Sequence, residues 1–250
     1  MKRRTLVLTI VAGLVVFAGV LALYLPASWF ASFLPAQVTC TELGGSLWQG
    51  ECLGLTVQGN KLGDATWNLA VGSALTGHLV GDVDVRGSQI NARGDLDLKF
   101  NGSGELRNVT ASFPLSSEVI AQFPPNQRGN IVADLKRVAL DQNRALSAIE
   151  GTIELHDLRQ LGSNPLALGS YQVAFAPGDN PTAAAAGRLR DLGGPFALEG
   201  TLTLTPPNAY LVQGFITGRT AEAERLVREI TLGAPPDASG RSALSFEGTF

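Results

Sequence analysis

Polar and apolar residues alternate strictly in two short segments of the first half of the chain. Residues 81–87, GDVDVRG, alternate aspartate with valine, and residues 94–100, GDLDLKF, repeat the order with leucine. Because side chains alternate across a β-strand, each segment has one polar face toward solvent and one apolar face that can be buried. Two matched amphipathic strands this close in the chain predict neighbours in an antiparallel sheet.

A second pattern recurs further along the chain. The segments at 149–155, 198–204 and 246–250 share an apolar-Glu-Gly-Thr-apolar core, and their glutamates are 49 and then 48 residues apart. Such spacing predicts a recurring supersecondary unit. Glycine inside a strand pattern often marks a bulge or bend, which a curved sheet needs.

Helical signals are sparse after the first 25 residues. The clearest is TAEAERLVREI at 220–230, where Thr220 suits the N-cap and Leu226, Val227 and Ile230 form one apolar stripe. Residues 116–122 are a second, shorter candidate helix.

Residues 5–25 form a run of 21 residues without a charge. This is the length that a helix needs to cross roughly 30 Å of hydrocarbon. The apolar core of a cleaved signal peptide is usually only about 7–15 residues long, so the pattern favours an uncleaved anchor. Lys2, Arg3 and Arg4 precede the run and the next basic residue is Lys61, which predicts a cytoplasmic amino end.

Together these patterns predict a mainly β protein. A transmembrane helix would be followed by a curved, repetitive antiparallel β-sheet domain with one or two short helices. The predicted segments are a cytoplasmic tail at 1–4, the transmembrane helix at 5–25, a juxtamembrane linker at 26–39 and a periplasmic β-rich domain at 40–250. A single anchor with a large exported domain is typical of the inner membrane of a two-membrane bacterium.

The composition argues against several classes of function. Three of the 19 lysines and arginines lie in residues 2–4, so the remaining 16 basic residues face 22 acidic residues in the exported part. This part is therefore mildly acidic, and no nucleic-acid partner is expected. His78 and His156 stand alone, and zinc-protease, Walker and nucleophile-elbow motifs do not occur. The aspartates of the amphipathic strands lack the ligand-dense loop of a calcium site. We predict no enzyme, with no catalytic residues, metal or cofactor.

Both cysteines of the chain, Cys40 and Cys52, follow the predicted anchor. A zinc site usually needs four ligands, and a CxxC redox centre needs much closer spacing. In an oxidising periplasm an even pair is expected to form a disulfide, here closing a hairpin-like loop that glycines can turn. Trp48 in this loop would either pack into the sheet or face a partner, and packing is the favoured interpretation.

The segments GSLWQGEC (45–52) and LGDATWNL (62–69) resemble the N protein family of the bacterial type II secretion system. In that family a Gly-x-Leu/Val-Trp-x-Gly element soon after the anchor precedes a second tryptophan. The matching residues here are Gly45, Leu47, Trp48, Gly50 and Trp67. The resemblance covers essentially the whole chain. It implies an accessory, non-enzymatic inner-membrane subunit of the machine that exports folded proteins from the periplasm through an outer-membrane secretin.

Two functions stay open at this point. The first is a structural subunit whose strand edges or faces contact other secretion subunits, with the secretin as one candidate partner. The alternative is a lipid-binding or lipid-conducting groove of the AsmA-like kind, because similar Gly-Ser-Leu-Trp-x-Gly elements occur in those envelope proteins. Val83, Val85, Leu96 and Leu98 would line such a groove, although a closed core is the favoured arrangement for them.

Overall fold

The structure is a computed structural model that describes residues 2–29, 38–57, 59–116, 124–143, 145–162, 165–177, 185–206, 209–231 and 233–249. Within these ranges the chain forms three helices and fourteen strands. In chain order they are α1 (Lys2–Leu23), β1 (Val38–Thr39), β2 (Glu42–Gly45), β3 (Gln49–Val57), β4 (Asn60–Leu69), α2 (Val71–Ala74), β5 (His78–Arg86), β6 (Asn91–Lys99), β7 (Gly104–Leu115), β8 (Gln127–Leu140), β9 (Leu146–Gln160), β10 (Leu166–Phe175), β11 (Ala185–Gly193), β12 (Phe196–Thr205), β13 (Ala209–Gly218), α3 (Ala221–Ile230) and β14 (Ser242–Thr249).

All fourteen strands belong to one antiparallel sheet. From β3 to β13 each strand pairs with the strand before it and the strand after it in the chain. β14 pairs with β13, and β1 and β2 both pair with β3. The two alternating segments lie in β5 and β6, which pair from His78 opposite Lys99 to Arg86 opposite Asn91. The predicted antiparallel neighbours are therefore confirmed, as is the mainly β class.

The register keeps one continuous line of apolar residues on the same face of the sheet. We call this line the apolar row and its side of the sheet the apolar face. The row runs through Cys52, Ala65, Val85, Ala92, Ala111, Ala133, Ile153, Val173, Leu189, Gly200, Gly214 and Leu244. Because side chains alternate across a strand, the next residue of each strand points to the opposite, polar face.

The adjacent line on the polar face is almost entirely polar. It runs through Glu51, Thr66, Asp84, Arg93, Thr110, Asp134, Thr152, Ala174, Arg188, Thr201, Gln213 and Ser245, with one alanine as the exception. A slip of one residue in any strand would exchange these two lines. The hydrophobic pattern therefore disfavours a slip by one residue anywhere in the sheet.

The sheet bends toward its apolar face. A Cβ atom placed on Gly81, Gly200 or Gly214, which all lie on this face, would overlap the backbone of the neighbouring strand. Some Cα atoms of β10 also lie within 8 Å of β12, whereas strands two apart in a flat sheet are separated by about 9.5 Å. Closer approach on one side means that this side is concave.

Helix α3 covers the apolar face at the last strands. Ala223 and Val227 are buried against Phe196 and Ile216. The prediction of this helix is confirmed, and the hydroxyl of Thr220 accepts the N–H of Ala223 at 3.1 Å, as an N-cap should. Ile230 is 48 % exposed, so the predicted apolar stripe is buried only as far as Val227.

Away from α3 the apolar face is only partly covered. Val83, Val85 and Leu96 are half-buried, Leu98 is 39 % exposed, and no large side chain among the described residues is fully buried. The chain exposes 15806 Å², against about 10,600 Å² for a compact protein of its mass. The expected closed core is therefore wrong, because a single bent layer encloses too little volume to exclude water.

The Glu-Gly-Thr segments lie in β9, β12 and β14, and each is extended. Gly151 opposes Leu135 where the register of β8 and β9 shifts, so a bulge is present there. The predicted recurring unit is wrong, however. Two strands separate β9 from β12, whereas one strand and a helix separate β12 from β14, so the equal spacing spans different structures.

Two further predictions concern helices, at 116–122 and at 5–25. The candidate at 116–122 lies, from residue 117 onward, outside the described residues. Lys2, Arg3 and Arg4 belong to the first turn of α1. In the described part of the chain no helix is long and apolar enough to cross a membrane, so the transmembrane helix at 5–25 stays a prediction.

Candidate functional site

Cys40 and Cys52 form a disulfide, with their Cα atoms 5.4 Å apart, which confirms the predicted pair. The loop between them is a hairpin of β2 and β3, in which Gly45 opposes Gly50. Gly45 has φ of +76°, a left-handed conformation that suits glycine. The cysteines act as a structural staple on the first edge of the sheet.

Trp48 and Trp67 pack into this edge. Trp48 is 9 % exposed, as the packing interpretation predicts, and the indole N–H of Trp67 donates to the carbonyl of Leu47 at 2.9 Å. A Cβ atom on Gly50 would overlap the ring of Trp67, so the ring lies directly against this glycine. We call residues 45–50 together with Trp67 the tryptophan corner.

The tryptophan corner also holds the chain that follows α1. The N–H of Leu47 donates to the carbonyl of Leu25 at 2.9 Å, and Pro26 forms a β-bridge with Ser46. Ala27 is 2 % exposed. The end of α1 and the first hairpin of the sheet are therefore fixed side by side, which the sequence motif alone does not reveal.

The aspartates of β5 and β6 bind their own neighbours on the polar face. The pairs are Asp84 with Arg86 (2.7 Å), Asp97 with His78 (3.0 Å), Asp95 with Asn108 (2.7 Å) and Asp82 with Asn68 (3.4 Å). Among the residues that the structure describes, no three acidic, histidine or cysteine side chains converge as metal ligands would. Asp82, Asp95 and Asp97 thus make cross-strand contacts, whereas Asp84 pairs within β5.

A charged bridge joins β7 to β8. Glu105 accepts hydrogen bonds from Arg107 at 2.7 Å and from Arg137 at 3.1 Å. The hydrogen bond from Arg107 is the main cause that lowers the pKa of Glu105, and the charge of Arg137 adds to it. Both contacts lie on an accessible surface, where such pairs contribute about 0–1 kcal/mol.

A polar network that the sequence does not predict crosses β9, β10 and β11. Gln172, 8 % exposed, donates to Glu154 at 2.6 Å and accepts from Arg190 at 2.7 Å. Glu154 also contacts Nε2 of His156 at 2.9 Å. Glu154, Gln172 and Arg190 follow one another at intervals of 18 positions, so only the strand register brings these three together.

Few polar side chains lie beside the apolar row. Tyr171 and Asp191 oppose each other on the apolar face. The Tyr171 hydroxyl donates to the carbonyl of Leu168 at 2.5 Å, and Asp191 pairs with Arg219 at 2.8 Å. Burial raises the pKa of Tyr171 to about 12, and the charge of Asp191 adds to this shift.

The tryptophan corner and the sheet beyond it match a known family model. Residues 36–245 fit the model described as Type II secretion system (T2SS), protein N. The chain belongs to this family. It is also 25 % identical over 222 residues to the type II secretion system protein N of Vibrio cholerae serotype O1 (strain ATCC 39315 / El Tor Inaba N16961), a match that covers 86 % of each chain. No solved structure matches the chain.

Membership of the protein N family confirms the resemblance that the Trp48 and Trp67 segments carry. The matched residues begin just before β1 and end within β14, so the match covers β1 to β13 and the first half of β14. Family membership makes the chain a component of type II secretion.

Proposed function

We propose that this member of the protein N family is an accessory inner-membrane subunit of the type II secretion machine, with a structural and interacting role. Other subunits, the outer-membrane secretin included, are the proposed partners. The observation that carries this role is the open outer edge of β14. No described strand pairs with β14 except β13, and an unpaired edge can add an extended segment of another protein.

The two edges of the sheet differ in how they are protected. At the first edge, β3 is covered by β1 and β2, and the disulfide closes this end. The last edge has eight residues, SALSFEGT, without proline or lysine, the residues that commonly block edge pairing. Phe246 on this strand is 49 % exposed. We therefore place the partner-binding edge at β14.

Capture of secretion subunits by the full chain tests this edge. Ala243→Lys combined with Ser245→Lys adds two charges to exposed positions of β14, and Thr201→Lys combined with Gln213→Lys adds two at exposed positions of β12 and β13. We expect the wild-type chain and the interior variant to capture secretion subunits, and the edge variant to lose them. Absence of capture by the wild type, or equal capture by both variants, would refute β14 as the partner-binding edge.

The inner-membrane location and the cytoplasmic amino end are part of the same proposal. Support comes from the uncharged run at 5–25 and from the bias of Lys2, Arg3 and Arg4. Val16 and Phe17 of α1 are 66 % and 65 % exposed, and such a helix needs an apolar surrounding. Alkaline extraction of membranes should leave the chain in the pellet, and added protease should digest the sheet only after the outer membrane is opened.

A further inference from the structure

We propose that one end of the sheet rests in the headgroup layer of the inner membrane. This end consists of residues 70–77, between β4 and β5, and residues 99–103, at the turn from β6 to β7, and we call it the apolar tip. Leu75 and Phe100 within it are 91 % and 66 % exposed. Large apolar side chains that lie together on a surface mark a contact with a protein or a membrane. The proposal rests on the inner-membrane location of α1 given above.

The first segment of the apolar tip lies beside the end of α1. The N–H of Leu47 donates to the carbonyl of Leu25, and the carbonyl of the next residue, Trp48, accepts the N–H of Leu69. Residues 70–77 follow directly on Leu69. Two backbone hydrogen bonds therefore connect the chain that leaves α1 to the segment that carries the most exposed apolar side chain of the described residues.

The second segment of the apolar tip is held against the first. The N–H of Phe100 donates to the carbonyl of Gly77 at 3.0 Å, directly beyond the last pair of β5 and β6, His78 opposite Lys99. α1 itself packs along none of the described strands, so it leaves the sheet at this end. A bilayer that holds α1 therefore lies next to both segments.

The chemistry of the apolar tip suits phospholipid headgroups. Residues 70–77 carry no charge, and the only charged residue at 99–103 is Lys99, which is exposed. Neither segment has a carboxylate that lipid phosphates would repel, and a cation beside apolar side chains favours anionic phospholipids. At the end of α1, Tyr24 and Trp29 are 77 % and 64 % exposed, and such rings favour the same layer of the membrane.

Fluorescence quenching in the reconstituted full chain tests this placement. Thr76→Cys lies in the apolar tip, and Gln89→Cys lies in the exposed turn at the other end of β5, roughly 25 Å away. Because Cys40 and Cys52 are bonded to each other, each new cysteine is the only free thiol and takes one environment-sensitive dye. The vesicles contain phosphatidylethanolamine and phosphatidylglycerol, with or without a phospholipid whose headgroup bears a spin-label quencher. We expect the dye at 76 to lose most of its emission to the quencher and the dye at 89 to lose none.

Paired substitutions show whether the apolar side chains make the contact. Leu75→Ser with Phe100→Ser removes the two exposed side chains of the apolar tip. Leu161→Ser with Ile230→Ser removes two exposed apolar side chains from the opposite end of the sheet. We expect quenching at position 76 to fall in the first pair and to be unchanged in the second. Equal quenching in both pairs would overturn Leu75 and Phe100 as the contact.

The outcomes separate this proposal from the anchor and from the edge. An unquenched dye at 76, in a chain that alkaline extraction leaves in the membrane, overturns the apolar tip and leaves the anchor intact. A dye at 76 that is shielded from water but not quenched by the lipid indicates a protein contact and also overturns it. Release of the chain by alkaline extraction overturns both the tip and the anchor. Subunit capture reads β14, so that edge can fail or hold independently.

Discussion

At Gly50 the absence of a side chain decides how the tryptophan corner packs. The ring of Trp67 occupies the space that a Cβ atom would need, while its N–H bonds the carbonyl of Leu47. Glycine and tryptophan at these two positions are thus required by one contact. At this level packing explains the glycine and the second tryptophan of the family motif.

We expect Gly50→Ala to destabilise the protein by about 1–3 kcal/mol, because overpacking forces the ring or the backbone to move. Urea unfolding followed by tryptophan fluorescence measures this change. Gly72→Ala is the control, since nothing lies within 4 Å of a Cβ atom at that position in α2. In a Trp67→Ala background the cost of Gly50→Ala should fall without vanishing, because the carbonyl oxygen of Ser46 also lies 2.7 Å from the Cβ position. Equal effects of Gly50→Ala and Gly72→Ala in the wild-type background would contradict a tight contact between Gly50 and Trp67.

The disulfide supports a different prediction at the residue scale. Replacing Cys40 and Cys52 by alanine together should lower the free energy of unfolding by about 2–3 kcal/mol, because the bond restricts a short loop of the unfolded chain. A reducing agent should lower the stability of the wild type by a similar amount and leave the double variant unchanged. A stability that reductant does not affect would show that the bond is not a staple.

At the scale of elements, α3 is the only described helix with side chains buried against the sheet. Its start is set by Thr220, whose hydroxyl accepts from Ala223, and Glu222 and Glu224 in the first turn favour the positive end of the helix. This element was predictable because its signals are local. Its docking on Phe196 and Ile216 was not, since the site depends on the pairing of β12 with β13.

Thr220→Ala should destabilise the protein by about 1 kcal/mol, because one N–H of the first turn loses its partner. Thr220→Ser keeps the hydroxyl and should cost only a few tenths of that value. Thermal unfolding monitored by circular dichroism compares the two. If serine and alanine cost the same, the hydroxyl is not the cap.

At the scale of the whole molecule, each strand depends mainly on its two neighbours. A sheet of this kind behaves like a linear array, in which stability is the sum of adjacent contacts. The longest strands, β8 and β9 with 14 and 15 residues, lie in the middle of the order. The strands at the edges have fewer contacts, so the protection of backbone amides from hydrogen exchange should vary along the sheet.

Hydrogen exchange measured by mass spectrometry should reveal this variation. We expect the slowest exchange in β8 and β9 and faster exchange in β14 and in the two-residue β1, because local opening begins where fewest contacts are lost. A bound partner on the edge should slow exchange in β14 alone. Uniform protection across all strands would contradict a linear array.

The amino-acid sequence by itself determined the mainly β class, the antiparallel pairing of the two alternating segments, the helix at 220–230 and the cysteine pair. The repeats at 81–87 and 94–100, the caps of the helix at 220–230 and the spacing of Cys40 and Cys52 all act over short distances, where local geometry leaves few alternatives. Only the tertiary structure decided the rest. It set one apolar row across twelve strands, the contact of Trp67 with Gly50, and an apolar face that stays half-open, because these depend on the register and bend of the whole sheet.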